Sequence, residues 1–196
     1  RFDHPLGDWD VSSVTNMHGM FSGNADEEAR SIFNQDLSRW DVSSVTDMSA
    51  MFLFNNKFNQ DIGNWDVSSV TDMSEMFSGV RLSLPPWFET QIYRSAFNHD
   101  ISHWDVSNVT GMSAMFKYNA RFNQDIGNWD VANVKDMSEM FANADEFNQD
   151  IGDWDVSSVA FMNSTFSGAS EFDQDISAWD VSNLLESQLL FRYGAL

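Results

Sequence analysis

The sequence predicts an α/β repeat protein: about seven 25-residue units, stacked as a solenoid with one parallel sheet and short helices or helical turns opposite. Three observations predict this. Seven of the eight tryptophans head the same tripeptide, Trp-Asp-Val, at Trp9, Trp40, Trp65, Trp104, Trp129, Trp154 and Trp179. Their intervals are 31, 25, 39, 25, 25 and 25 residues, so a period of 25 carries insertions of six and fourteen. All eleven methionines fall at two positions of this unit, and fourteen of the seventeen phenylalanines fall at two others.

Each element of the unit follows from the pattern between Phe58 and Phe77. Ile62, Trp65 and Val67 alternate with the polar residues Asn64, Asp66 and Ser68, which reads as a short strand with Trp and Val pointing inward. Two residues before Trp stands Gly63, Gly127 or Gly152, or else Ser38, Ser102 or Ser177, small enough to admit the next indole. Val70, Met73, Met76 and Phe77 then recur at three- and four-residue spacing, which predicts one or two helical turns capped by Ser69, Thr71 or Asp72. A phenylalanine such as Phe58 leads the chain back to the next strand. One unit cannot bury its apolar face alone, so neighbouring units must do so.

The whole chain, 1–196, reads as one domain of such units, with insertions near 24–31 and 80–95. The last unit keeps Trp179-Asp180-Val181 but loses its methionines, so 182–196 reads as a degenerate C-terminal cap. The chain opens at Arg1, with no capping segment before its first unit, and is expected to be part of something longer.

Composition narrows the function. Ten Lys and Arg against thirty Asp and Glu give a formal charge of −20. That excludes nucleic acid, whose binding needs clustered Lys and Arg, and disfavours anionic lipid. A hydrophobic share of 42% excludes an acidic disordered chain. No cysteine is present, so neither disulfides nor thiolate chemistry enter. No apolar run approaches the ~18 residues of a membrane span, so this segment is not expected to insert in a membrane.

The repeated residues Phe-Asn-Gln-Asp-Ile at 58–62, Trp-Asp-Val-Ser-Ser-Val-Thr-Asp-Met at 65–73 and Met-Phe at 76–77 resemble a known pattern. It is the 25-residue repeat of bacterial surface proteins of the BspA type, found also in mycoplasma lipoproteins and grouped as the DUF285 family. The resemblance covers nearly the whole chain outside the insertions. It implies a right-handed, leucine-rich-repeat-like solenoid on a secreted or surface-anchored protein, with adhesion or protein binding as the usual role.

Two columns of aspartates invite chemistry. Asp10, Asp41, Asp66, Asp105, Asp130, Asp155 and Asp180 follow the tryptophans, and stacking would set them about 4.8 Å apart. Either each accepts hydrogen bonds from the N–H groups of the following Ser-Ser turn, or the column attracts cations or a basic partner. Asp36, Asp61, Asp100, Asp125, Asp150 and Asp175 sit beside asparagines that suggest a buried ladder, with calcium ligation the rival account. His99 and His103 are four apart, as zinc ligands on a helix would be, but they fall on the approach to a strand. No catalytic residue, metal site or cofactor is expected.

The expected role is a non-catalytic binding or adhesion module; a structural spacer or assembly element, or a calcium-dependent module, are the rivals. A protein or surface ligand, a basic one among the candidates, would meet the column before Trp. That column varies from unit to unit, as at Arg39, Asn64, His103 and Asn128, while Asp41, Asp66, Asp105 and Asp130 beside it stay constant. The fourteen-residue insertion adds Trp87 and Tyr93 near Pro85-Pro86, either as a recognition loop or as a cover for the helical side.

Overall fold

The computed structural model describes residues 2–23, 31–82 and 91–185. Among these there is no helix, and the only strands are β1 (Val80–Leu82) and β2 (Gln91–Tyr93). They pair antiparallel, with Val80 opposite Tyr93 and Arg81 opposite Ile92. The expected parallel-sheet solenoid with short helices opposite is therefore incorrect. No Trp-Asp-Val segment among the described residues lies on a strand, and the Met-Phe segments are runs of turns.

The reason lies in where the backbone donors go. In the unit around Trp65, Trp65 N–H donates to Ile62 C=O, Val70 to Val67, Met76 to Met73 and Ser78 to Glu75, at 2.9–3.2 Å. Each reaches back three positions, not the four of an α-helix. The next donors along, Met73, Glu75, Phe77 and Gly79, instead reach the carbonyls of Gly111, Ser113, Met115 and Lys117 in the following unit, at 2.7–3.0 Å. An α-helix needs its interior N–H groups for its own i−4 carbonyls. Here every second one is committed to a neighbour, so no helix can form.

Backbone conformation agrees. Glu75 has φ +59°, and its equivalents Ala50, Ala114, Glu139 and Ser164 also lie in the left-handed region. Single left-handed residues interrupt any right-handed helical run. Apolar side chains three apart (Val67, Val70, Met73, Met76) then return to the interior once per turn, which explains the spacing without a helix.

Parallel pairing between units is reduced to single residues. Isolated bridges join Asn16 to Asp47, Asp47 to Asp72, Asp72 to Gly111, Gly111 to Asp136 and Asp136 to Phe161. On one side, Thr46, Thr71 and Thr110 N–H donate back to Thr15, Thr46 and Thr71, at 2.8 Å. On the other, Met48 and Met73 donate forward. Turns on both sides stop each bridge from extending into a ladder.

A continuous apolar core runs from Leu6 to Trp179. Two columns of phenylalanine form its spine. Phe52 stacks on Phe58, Phe77 on Phe97, Phe116 on Phe122 and Phe141 on Phe147, with ring centroids 3.8–3.9 Å apart and planes within 13°. Each buried indole also ties two units together. Trp65 Nε1–H donates to Leu37 C=O, Trp104 to Ile62, Trp129 to Ile101, Trp154 to Ile126 and Trp179 to Ile151, at 3.1–3.2 Å. A buried indole N–H would otherwise cost its desolvation.

The glycine before Trp is explained differently from the expectation. A Cβ at Gly63 would stand 2.4 Å from the Asp100 carbonyl, and one at Gly127 2.5 Å from that of Asp150. It is the neighbouring backbone, not the next indole, that needs the space.

The second insertion leaves and rejoins the core through β1 and β2. Tyr93 C=O would lie 2.3 Å from a Cβ at Gly79, so the hairpin seats tightly on the unit it interrupts. Trp87 and the tip of this insertion lie outside the described residues, as do 24–30 of the first insertion and the end of the expected C-terminal cap.

Candidate functional site

From Trp40 to Trp154, each Trp-Asp-Val places its aspartate between two buried side chains, so the carboxylate faces solvent. Asp41, Asp66, Asp105 and Asp130 are all exposed. Each is held by the next turn: Ser43, Ser68 and Ser107 donate backbone N–H at 3.0–3.1 Å and hydroxyl at 2.6 Å to one Oδ1. At Asp130 the following residue is Ala132, and only its N–H donates, at 3.1 Å. The local account of the column, carboxylates accepting from the Ser-Ser turn, matches this geometry.

Electrostatics show the column acting as a set. The Ser43 hydroxyl, followed by its N–H, holds Asp41 below the ordinary carboxylate value, while Asp66 and Asp10 push it up. Ser68 does the same for Asp66 against Asp105, and Ser182 for Asp180 against Asp155. Neighbouring units therefore bring these like charges within mutual range, and the turn outweighs the repulsion. Two consequences follow. Folded-state pKa values lie below unfolded ones, so this stabilisation is present above the unfolded value, about 3.9, and is lost as pH falls through the folded values. At pH 7, added salt should raise the thermal midpoint by screening the column, since exposed charges interact over about 8–10 Å at physiological ionic strength. Calorimetry at 20 and 300 mM salt, at pH 7 and pH 3, checks both signs.

The varied column before Trp is less free than its sequence suggests. The Arg39 guanidinium pairs with Asp8 of the preceding unit, and both are largely exposed. Asn64 Nδ2–H donates to Ser38 C=O at 2.8 Å. His103 and Asn128 are exposed; among the described residues neither side chain is held by a hydrogen bond, and the His103 ring lies close enough to Asp100 to help lower its pKa, after the Ser102 N–H and hydroxyl. Tyr93 lies on β2, half-buried and engaged by neighbouring groups, so it is not presented as a free ring.

The second aspartate column and its asparagines are structural. Asp61 and Asp100 accept the N–H of Gly63 and Ser102, at 3.0 and 2.9 Å. Asn34, Asn59, Asn98 and Asn123 form a ladder: each Oδ1 accepts the N–H of the next unit's asparagine at 2.9–3.1 Å. The ladder is half-buried to exposed, not buried as expected. His99 takes the place of a ladder glutamine, its Nε2 3.0 Å from Asn59 C=O, which separates it in role from His103. Among the described residues no group of three or more acidic or histidine side chains is placed to hold a metal ion.

Two features were not foreseen from the sequence. A third aspartate column, Asp47, Asp72 and Asp136, accepts the N–H of Ser49, Ser74 and Ser138 at 2.8–2.9 Å, and these residues make the parallel bridges. At Asp47 burial raises the pKa most, yet the Ser49 hydroxyl and N–H together with His18 outweigh it. A groove of about 350 Å³ also runs along the turn side, lined by Arg81, Lys117, Tyr118, Glu139 and Asn143. Tyr118 and Asn143 project from left-handed positions, a placement no periodicity signals. The groove's Lys117 is paired with Glu139, and nearby Arg94 with Asp145.

No membrane-spanning helix occurs among the described residues. Neither the curated proteins nor the solved structures include a match to the chain. The family described as "Mycoplasma protein of unknown function, DUF285" matches residues 1–85 and again 86–195, the join falling within the second insertion. With almost every residue covered by those two matches, the chain belongs to the DUF285 family.

Proposed function

We propose that the chain is a non-catalytic protein-binding or adhesion module of a larger secreted or surface-anchored protein. The observation that carries this reading is the pairing of two exposed columns on a hydrogen-bonded frame. One is a constant row of locked carboxylates, and the other a row whose side chains change from unit to unit. Because each carboxylate is fixed by its own turn, the acidic row needs no ordering on encounter, which lowers the entropic cost of binding. A chain of charge −20 draws a basic protein at long range, and His103 and Asn128 then supply local discrimination.

The test uses a panel of basic proteins of pI above about 9, passed over the immobilised chain. Raising salt from 50 to 300 mM should slow association on the order of tenfold, with little change in dissociation. The double variant Asp66→Asn/Asp105→Asn should reproduce that loss at low salt. His103→Ala and Asn128→Ala should instead speed dissociation. Binding indifferent to both sets would contradict the reading and favour a spacer or assembly role.

A further inference from the structure

The phenylalanines of the two core columns stack on one another. Phe54 and Tyr118 do not: among the described residues neither ring stacks on another, and both are half-buried on the turn side. Each projects from a left-handed position, with φ +58° and +54°. They hold equivalent places two units apart, fourteen residues after Trp40 and Trp104. The unit between them has Gly79 at that place, so no side chain fills the interval. Gly79 also lets Tyr118 come close, since a Cβ there would stand 2.9 Å from the Tyr118 Cβ.

The groove along Tyr118 and Asn143 continues into a second hollow of about 290 Å³, bordered by Phe54, Glu75 and Gly79. Arg81, supplied by β1 of the second insertion, lines both hollows together with Lys117 and Tyr118. Their size lies near the lower end of the range for small-molecule sites, about 300–1,000 Å³. Lys117 is paired with Glu139. Among the described residues, the side chains of Glu75, Arg81, Tyr118 and Asn143 are held by no hydrogen bond or ion pair. The Asn143 amide lies against Gly168, where a Cβ would stand 2.7 Å from its Oδ1. Aromatic rings, donors and acceptors thus line one open groove with most of their bonding capacity unspent.

We infer that this groove is a binding site for a neutral oligosaccharide, with sugar rings lying on Phe54 and Tyr118. A pyranose offers an apolar C–H face to an aromatic ring, and hydroxyls that both donate and accept. Glu75 and Glu139 supply acceptors, Arg81 and Lys117 donors, and the Asn143 amide both. Charge selects the neutral class. The groove's two cations balance its two carboxylates, and a chain of charge −20 repels an anionic sugar at long range. An apolar ligand would strip water from Arg81 and Glu75 and replace it with nothing, which is costly. No residue of the two exposed columns lines the groove, so this site is separate from the one proposed for a basic protein.

The test is titration calorimetry of the whole chain with cello-, malto-, chito- and galacto-oligosaccharides of about four to six sugars, and with oligogalacturonate as the anionic comparison. At least one neutral series should bind with a Kd at or below about 1 mM. Its affinity should change less than about twofold between 50 and 300 mM salt, because screening acts on charges. Tyr118→Ala should weaken that binding at least about tenfold, whereas Tyr118→Phe, which keeps the ring, should stay within about threefold. Asn143→Ala should cost about fivefold. Asp66→Asn/Asp105→Asn, which tests the basic-protein site, should leave sugar binding unchanged. Near-ultraviolet circular dichroism reports whether each variant is folded, and Phe54→Ala replaces Tyr118→Ala, with the same loss expected, if the latter is not. A glycoprotein bearing the bound sugar should displace the oligosaccharide, and its enzymatically deglycosylated form should not. Binding of oligogalacturonate alone, of no oligosaccharide, or equally by the wild type and a folded Tyr118→Ala would overturn the proposal. So would displacement by the bare polypeptide, because a protein would then be the occupant.

Discussion

Replacing Trp129 by Ala destabilises the protein by about 3–5 kcal/mol, at the upper end of that range. The indole is 4% exposed in mid-chain and packs against Phe116 with centroids 6.4 Å apart. Its removal opens a large cavity, and it also strips Ile101 C=O of the indole donor at 3.1 Å, leaving only the Trp104 N–H bond. Trp9→Ala provides the contrast. That indole is mostly exposed and donates to nothing among the described residues, so the loss should stay below about 1 kcal/mol. Urea midpoints of the two variants check the difference, and equal midpoints would refute the role given to the buried indoles.

Phe116→Ala should cost a comparable 3–5 kcal/mol or so, through a different contact. Phe116 lies 3.8 Å from Phe122 and 5.9 and 5.8 Å from Phe77 and Phe141, so it interrupts both phenylalanine columns. Offset aromatic pairs add about 0.5–1.5 kcal/mol beyond area burial. Phe116→Leu, which keeps much of the volume but not the ring, should recover most of the loss and leave a deficit of about that size or somewhat more. Urea melts of the three proteins separate cavity from stacking, and a leucine variant as unstable as the alanine one would deny that volume matters most here.

Much of the interior was legible. Trp, Val, Ile, Met and Phe at fixed positions are the buried residues of the units between the first and the last, because little else in the unit is large and apolar. The serine-held aspartates were also readable, since an Asp two residues before a Ser or Ala N–H is a local device needing no tertiary information. The secondary structure was misread from the same letters. Val67, Val70, Met73 and Met76 are each three apart, a spacing that suits consecutive three-residue turns better than a 3.6-residue helix, on which Val67 and Met76 would fall half a turn apart; the shorter run from Val70 to Phe77, read alone, hides that drift. Ile62, Trp65 and Val67 fall at intervals of three and then two, and a turn closes the first interval where a strand was expected. What no local pattern carries is the destination of alternate N–H groups, which depends on a unit 25 to 39 residues away. The ties holding Arg39 to Asp8 and Asn64 to Ser38 were hidden for the same reason.

Glu75 offers the most direct test of a backbone built from turns instead of helices. It is exposed, with φ +59°, in a segment that sequence spacing assigns to a helix. Paired variants Glu75→Gly and Glu75→Ala remove the same carboxylate and differ only in a Cβ. At a left-handed position the glycine variant should be the more stable by about 1 kcal/mol, because alanine bears the steric cost of that conformation. In a helix the order reverses by about the same amount. Urea denaturation of the two variants therefore reads out a sign. Glycine above alanine is the result the turn-built units predict, and alanine above glycine would contradict them.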